Sequence, residues 1–330
     1  MRKPCWIALC TVWIGCSSID RMSESLRLDT TIELPSVKGG FDLMAADVAG
    51  RRLFVAAEDN NTVEVLDLVA SRPVHSIAGV REPKWIVFLP ETSKLYVANG
   101  GDGTVSVFDS KSYRLIKTIP FREKANNLRY DAPTGFLYVG IGKTFGAIGI
   151  INTRTDEIVG EIALANFPKQ FELEQGGSRI FVNVPEANHV AVLDRKVAKQ
   201  VVTWPVLEAK GNIPMALDGP GHRLLVGCEA GSLVVLDTAT GKDVARVAIS
   251  AGPDGVYWDA SRRLIYISCG SGFIDVIRQV DLDRYESVDH IPTASGAATS
   301  LWVPELDCLF LAVPQHDLKP AAIRIYRRRP

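Results

Sequence analysis

Apolar and polar residues alternate along this chain in short, strand-length runs, and the runs recur. Seven apolar triplets carry the recurrence: Leu53-Phe54-Val55, Leu95-Tyr96-Val97, Leu137-Tyr138-Val139, Ile180-Phe181-Val182, Leu224-Leu225-Val226, Ile265-Tyr266-Ile267 and Leu309-Phe310-Leu311. Their central residues stand at 54, 96, 138, 181, 225, 266 and 310, so successive steps are 42, 42, 43, 44, 41 and 44 residues. The second copy shows what one unit contains. Residues 85–89 form an apolar run, 90–93 a turn and 94–98 a second strand. Residues 99–103, Asn-Gly-Gly-Asp-Gly, are a loop of types that tolerate positive φ. Residues 104–108 alternate polar and apolar, 109–112 turn the chain, and 113–119 make a fourth strand. The fifth copy keeps the plan, with residues 237–241 as its third turn. Four short strands at a period in the low forties predict one antiparallel blade per repeat, hence an all-β, seven-bladed β-propeller.

One four-stranded sheet cannot bury both of its faces, whereas stacked blades can. This accounts for second and third strands that are apolar on both parities. The last repeat supplies strands at 300–303, 309–311 and 322–326, and then the chain stops. Residues 30–34, Thr-Thr-Ile-Glu-Leu, precede the first full repeat and are the expected fourth strand of the last blade, which removes an exposed edge. A single propeller over residues 30–330 follows, with no second domain and no helix-period pattern.

The phrase Leu95-Tyr96-Val97-Ala98-Asn99, followed by a loop and a third strand ending in Asp109, resembles the YVTN-type propeller repeat. The resemblance covers residues 30 to 330 and is closest in repeats one, two and five. The third strands of repeats three, six and seven end instead in Asn152, Arg278 and Arg327. The resemblance implies a propeller scaffold and names no ligand, because such folds host varied roles.

Before the repeats, Arg2 and Lys3 precede an apolar run from Cys5 to Ile14, too short to span a bilayer, and then Gly15-Cys16-Ser17-Ser18. This is the layout of a secretory signal over residues 1–16. The Gly-Cys junction resembles a lipobox with Cys16 as the lipidated residue, although Trp13 stands where that motif usually has Leu; the alternative is an ordinary cut near Ser17. Residues 17–29 read as a polar tether. The protein is therefore expected outside the cytoplasm, periplasmic or extracellular, touching a membrane only through a lipid anchor. The whole chain has a net charge of −1, becoming −3 without residues 1–15. That balance argues against bulk polyanion binding, so no nucleic-acid partner is expected. Arg327-Arg328-Arg329 is read as a solvated tail.

Three of the six cysteines lie in or at the leader. Cys228 and Cys269 occupy equivalent places in adjacent repeats, so one side chain faces the shared gap and the other faces away; a disulfide is not expected. Cys308 is expected to be buried as well. No cysteine spacing suits a metal. Gly142-Lys143-Thr144 imitates the end of a phosphate-binding loop, but Leu137 stands where the motif needs Gly, and a strand follows instead of a helix.

A propeller's axial channel is lined by the first strand of each blade. Counting back twelve residues from each triplet centre gives one mouth ring: Asp42, Lys84, Asn126, Lys169, Ile213, Asp254 and Ala298, with Met215 as an alternative at the fifth place. Asp42, Lys84, Asn126, Lys169 and Asp254 form the candidate ligand site. The two lysines argue against a cation and for an anionic or zwitterionic ligand; the alternative is that these groups pair with one another and close the channel. Loops after the second strands add Glu58, Asp59, Asn99, Glu186, His189, Glu229 and His316, most of which suit ordinary turn chemistry. No cofactor, catalytic constellation or metal is expected. The reading is a monomeric, exported, non-catalytic scaffold that binds a protein or a small polar ligand. A lactonase-like or lyase-like enzyme on a sugar-derived substrate, and an accessory of a periplasmic redox system, are the alternatives.

Overall fold

A computed structural model describes residues 26–206 and 209–328. The leader with Cys16, and residues 17–25 of the tether, lie outside them. Seven four-stranded antiparallel sheets follow one another, six in chain order from inside to outside and the last with an N-terminal strand as its outermost. Blade two runs Pro83–Leu89, Lys94–Asn99, Thr104–Asp109 and Leu115–Pro120. The fold is the expected seven-bladed propeller. Two single-turn 3-10 helices, Pro185–Ala187 and Pro304–Leu306, are additions the strand pattern did not announce.

The core lies between blades rather than within one. Leu53 and Val55 pack with Phe310 and Ile323 of blade seven. Phe54 and Ala56, on the other face of the same strand, pack with Ile86 and Leu95 of blade two. Successive side chains on a strand point to opposite faces, so a blade with neighbours on both sides is apolar at every position. Each fully buried aromatic contributes about 1.5–3 kcal/mol of transfer free energy, and Phe54, Tyr96, Phe181, Tyr266 and Phe310 all fall in this set.

The same parity settles the cysteines. Cys228 packs with Phe181 and Val190 of blade four, whereas Cys269 packs with Ala216 and Leu225 of blade five. They are free and buried. Burial pushes both thiols up to about 12, so neither is a ready nucleophile at neutral pH.

Closure occurs as expected, with the boundary moved. The closing strand is Leu26–Leu34, not residues 30–34, and it pairs antiparallel with Ala321–Arg328 across a bulge between Leu28 and Thr30. Residues 26–29, assigned to the tether from sequence, belong to the blade. Of the arginines read as a solvated tail, Arg327 and Arg328 are corrected, and Arg329 lies outside the described residues. Arg327 bonds Asp29 at 3.0 Å and the Leu306 carbonyl at 3.1 Å. Arg328 meets Asp307 at 3.4 Å.

On the face away from the mouth, a repeated clamp ties blade to blade. The first residue of a second strand reaches the third turn of the next blade. Arg52 donates to the Ser110 carbonyl at 2.7 Å, Lys94 meets Asp156 at 2.6 Å, and Arg223 donates to Asp283 at 2.8 Å. Arg179 makes the equivalent bond to the Thr238 carbonyl.

Candidate functional site

Lys84, Asn126, Ile213 and Asp254 reach the mouth through local backbone irregularity, whereas Asp42 stands just ahead of its blade's first strand, Met44–Asp47. In blade two the register shifts between Pro83 and Trp85, which leaves Lys84 in a bulge. Equivalent shifts bracket Asn126 in blade three, Ile213 in blade five and Asp254 in blade six. A bulge turns one side chain out of the sheet's alternation, here into the bore. Proline precedes the bulge residue at Pro83 and Pro253, where a missing N–H suits a broken ladder. In blade five the bulge residue is Ile213, and Met215, the alternative, is buried in the core.

The bulges surround an axial cavity of about 160 Å³ lined by Asp42, Glu58, Asn126, Lys169, Gln170 and Asp254, with Ile213 among its apolar walls. That volume equals the share of about five waters. The ring expected from spacing is thus brought together at one mouth, with two departures. Lys84 sits behind Asp42 instead of on the cavity wall, and Ala298 gives way to its neighbour Thr299, whose hydroxyl donates to Asp254 at 2.9 Å.

The two lysines diverge. The Lys84 ammonium lies 3.7 Å from Asp42 and is hydrogen-bonded to Glu58. Burial works against its charge, but the Asp42 and Glu58 carboxylates outweigh that and hold it above the ordinary lysine value. Lys169 has no carboxylate within ion-pair distance among the described residues; its ammonium stands 5.4 Å from the ring centre of Phe167. Asn126 likewise has no side-chain hydrogen bond among them. Gln170 is committed, donating to the Asp254 carbonyl at 2.8 Å and accepting from the Met215 N–H at 3.4 Å.

Two of the carboxyls here, Asp42 and Asp254, titrate late. Burial raises Asp42 well above the ordinary value, and the Asp254 charge raises it further, against the opposing pull of Lys84. Burial also raises Asp254, opposed by the Thr299 hydroxyl and Lys169. The open 22 % of the Asp42 side chain faces a narrow bore, where water solvates charge poorly.

A second layer of first-strand positions, outside the cavity lining, was not anticipated. Nine residues before each triplet centre lie Ala45, Val87, Arg129, Glu172, Ala216, Tyr257 and Leu301, each paired directly with that centre. Arg129 bonds Glu172 at 2.8 Å and stacks over Trp85 at 4.1 Å. Tyr257 donates to the Ser300 carbonyl, and burial raises its phenol well above the ordinary value. The same ruler, shifted by three, finds this layer in the sequence. Glu58, expected only among the loop residues that suit ordinary turn chemistry, lies on the cavity wall. Among the described residues, no group of three His, Cys, Asp or Glu side chains converges as a metal site. His189 and His316 stay apart from the cavity; His316 is exposed and pairs with Asp317 at 2.9 Å.

Fold and site together define a seven-bladed β-propeller with a polar axial cavity. No family model matches the chain. It is similar to the uncharacterized protein YncE of Salmonella typhimurium (strain LT2), 32% identical over 100 residues, which is 30% of this chain and 28% of that protein. The YncE of Salmonella typhi gives the same figures. The match spans less than a third of those relatives' length. Among solved structures, a chain of the mitotic checkpoint complex superposes with a TM-score of 0.77 at 15% identity, covering 99% of this chain and 98% of that one. A chain of Kuenenia stuttgartiensis hydrazine synthase does so with a TM-score of 0.72 at 20% identity, covering 84% and 93%. At these identities the likeness is one of fold alone.

Proposed function

We propose that this protein is an exported, non-catalytic binding propeller whose axial mouth takes a small polar ligand with an anionic group. The observation that carries the reading is the contrast within the mouth. Lys84 is neutralised by Asp42 and Glu58, while Lys169 and Asn126 border the same cavity with hydrogen-bonding capacity free. Asp42 and Asp254, both raised by burial, present carboxyl groups to a ligand's hydroxyls. A hydroxylated carboxylate fits this set: its anion faces Lys169 and its hydroxyls face Asn126 and the carboxyls.

The test is calorimetric titration with small sugar acids, polyols and neutral sugars. Saturable binding of a sugar acid, weakened by Lys169→Met and Asn126→Ala, supports the reading. No binding by any of them sinks it. The repeat phrase at residues 95–109 supports kinship with YVTN-type propellers, and the layout of residues 1–18 supports export, with Cys16 as the lipidated residue. Mass spectrometry of the mature N-terminus checks the lipid, since a free amine at or beyond Ser17 rules it out.

A second reading has one observation in its favour. Buried carboxyls with raised pKa are the usual equipment of general acid–base catalysis. Asp42 and Asp254 would then act on a lactone. Hydrolysis of gluconolactone above the buffer rate, lost in Asp254→Asn, would move the protein to the enzymes.

A further inference from the structure

A second cavity, of about 530 Å³, opens between blades six and seven, away from the axis. Its size falls in the range of sites for small organic ligands. Thr31, Glu33, Ala322 and Arg324 supply one wall. Thr31 pairs with Arg324, and Glu33 with Ala322, so these four share one face across the seam that joins the two chain ends. Thr293 and Ser295 come from the loop entering blade seven, and Lys319 from the loop after that blade's second strand.

Three features mark the cavity as built for a ligand. Lys319 and Arg324 have no carboxylate within ion-pair distance among the described residues, so two cations border the space unneutralised; Arg324 meets only the Tyr326 hydroxyl. The Thr293 hydroxyl lies buried beside the cavity without a hydrogen-bond partner, a costly condition that its rotation toward a bound polar group would relieve. The remaining lining is Ala294, Val313, Pro314 and Pro320, which are apolar, and His316, which pairs with Asp317.

We propose that this cavity is a second ligand site, and that it takes a small organic carboxylate with an apolar body. The charge count selects the anion. Arg324 and Lys319 against Glu33 leave one net positive charge, matching a monoanion, and Glu33 repels a dianion such as phosphate. The guanidinium of Arg324 suits a planar carboxylate. Thr293 adds a hydroxyl donor, and the proline and valine wall receives the hydrocarbon. Because both chain ends form the wall, the bound carboxylate holds the seam closed and stabilises the folded ring. The proposal stands apart from the axial site, which shares none of these residues.

The experiment uses the full chain. Butyrate, hexanoate and phenylacetate are compared with hexanamide by ligand-observed NMR and by thermal shift. The carboxylates should bind saturably and raise the melting temperature, whereas hexanamide should not. Arg324→Gln should weaken binding about tenfold, as loss of a charge-assisted contact does. Lys319→Gln, in an exposed loop and harmless to folding, should weaken it about threefold. Lys169→Met should leave it unchanged. Absence of saturable carboxylate binding, equal binding of hexanamide, or binding insensitive to both substitutions overturns the proposal. So does binding that Lys169→Met abolishes, which would move the carboxylate to the axis.

Discussion

Lys84 of blade two places its ammonium 3.7 Å from the Asp42 carboxylate of blade one. The backbone repeats the connection, because the Leu43 N–H donates to the Lys84 carbonyl at 2.8 Å. One inter-blade joint is therefore made twice, once by charge and once by main chain, at the rim of the axial cavity.

Lys84→Met should destabilise the ring by about 1–2 kcal/mol, since it leaves two half-buried carboxylates facing each other without a counter-charge. Lys169→Met should change stability by less than about 0.5 kcal/mol, because Lys169 holds no ion pair among the described residues. Urea denaturation of the two variants tests this. Equal losses would show that Lys169 is structural after all.

Asp42 and Asp254 should make the fold less stable as pH rises. Both are raised above their ordinary values, so between the unfolded and folded pKa the native state binds more protons than the unfolded chain. The linkage slope is then negative: the stabilising contribution is full below the ordinary carboxylate pKa and is lost as pH climbs through the raised values. Asp254→Asn keeps an acceptor for the Thr299 hydroxyl and removes one charge. Its melting temperature should exceed that of the parent at neutral pH, and the difference should vanish in acid. A parent melting temperature that instead rises through this window would contradict the burial argument.

Arg129 and Glu172 should show strong coupling. They join adjacent blades at 2.8 Å, with 17% and 24% of their side chains exposed. Arg129→Met alone should cost about 2–3 kcal/mol, because it strands Glu172 in the bore. The double variant with Glu172→Gln should recover about 1 kcal/mol or more, which a double-mutant cycle in urea measures. Strict additivity would mean that the stacking of Arg129 on Trp85 matters more than its charge.

Ile32→Ala should cost about 2–4 kcal/mol, because the side chain is 1% exposed in the core shared by blades one and seven. Thr31→Ala, on the exposed face of the same strand, should cost less than about 0.5 kcal/mol. Comparable losses at both positions would argue that the closing strand is held by backbone pairing rather than by its buried face.

Much of this architecture was legible before any coordinates. The interval between Phe54, Tyr96 and their five counterparts defines the blades, because a strand packed on both faces must be apolar at consecutive positions. Counting back from those centres located Asp42, Asn126, Lys169 and Asp254 around one bore, since each blade repeats the same path to the axis. The parity of Cys228 and Cys269 argued correctly against their union. The start of the closing strand at Leu26 was less legible: Asp29 sits in a bulge, and Arg27, Asp29 and Thr30 resemble a polar tether when read without Arg327 beside them.

The sequence by itself determined the ring and its closure, because these follow from periodic burial along one chain. Only the tertiary structure decided which charges meet. Glu58 reaches Lys84 from a turn 26 residues earlier, and Arg129 meets Glu172 from a neighbouring blade 43 residues away. Lys84 and Lys169 occupy the same place in the repeat, yet one is neutralised and the other stands over Phe167. Ion pairing depends on distance and local dielectric across the gap between blades, and a repeat period specifies neither.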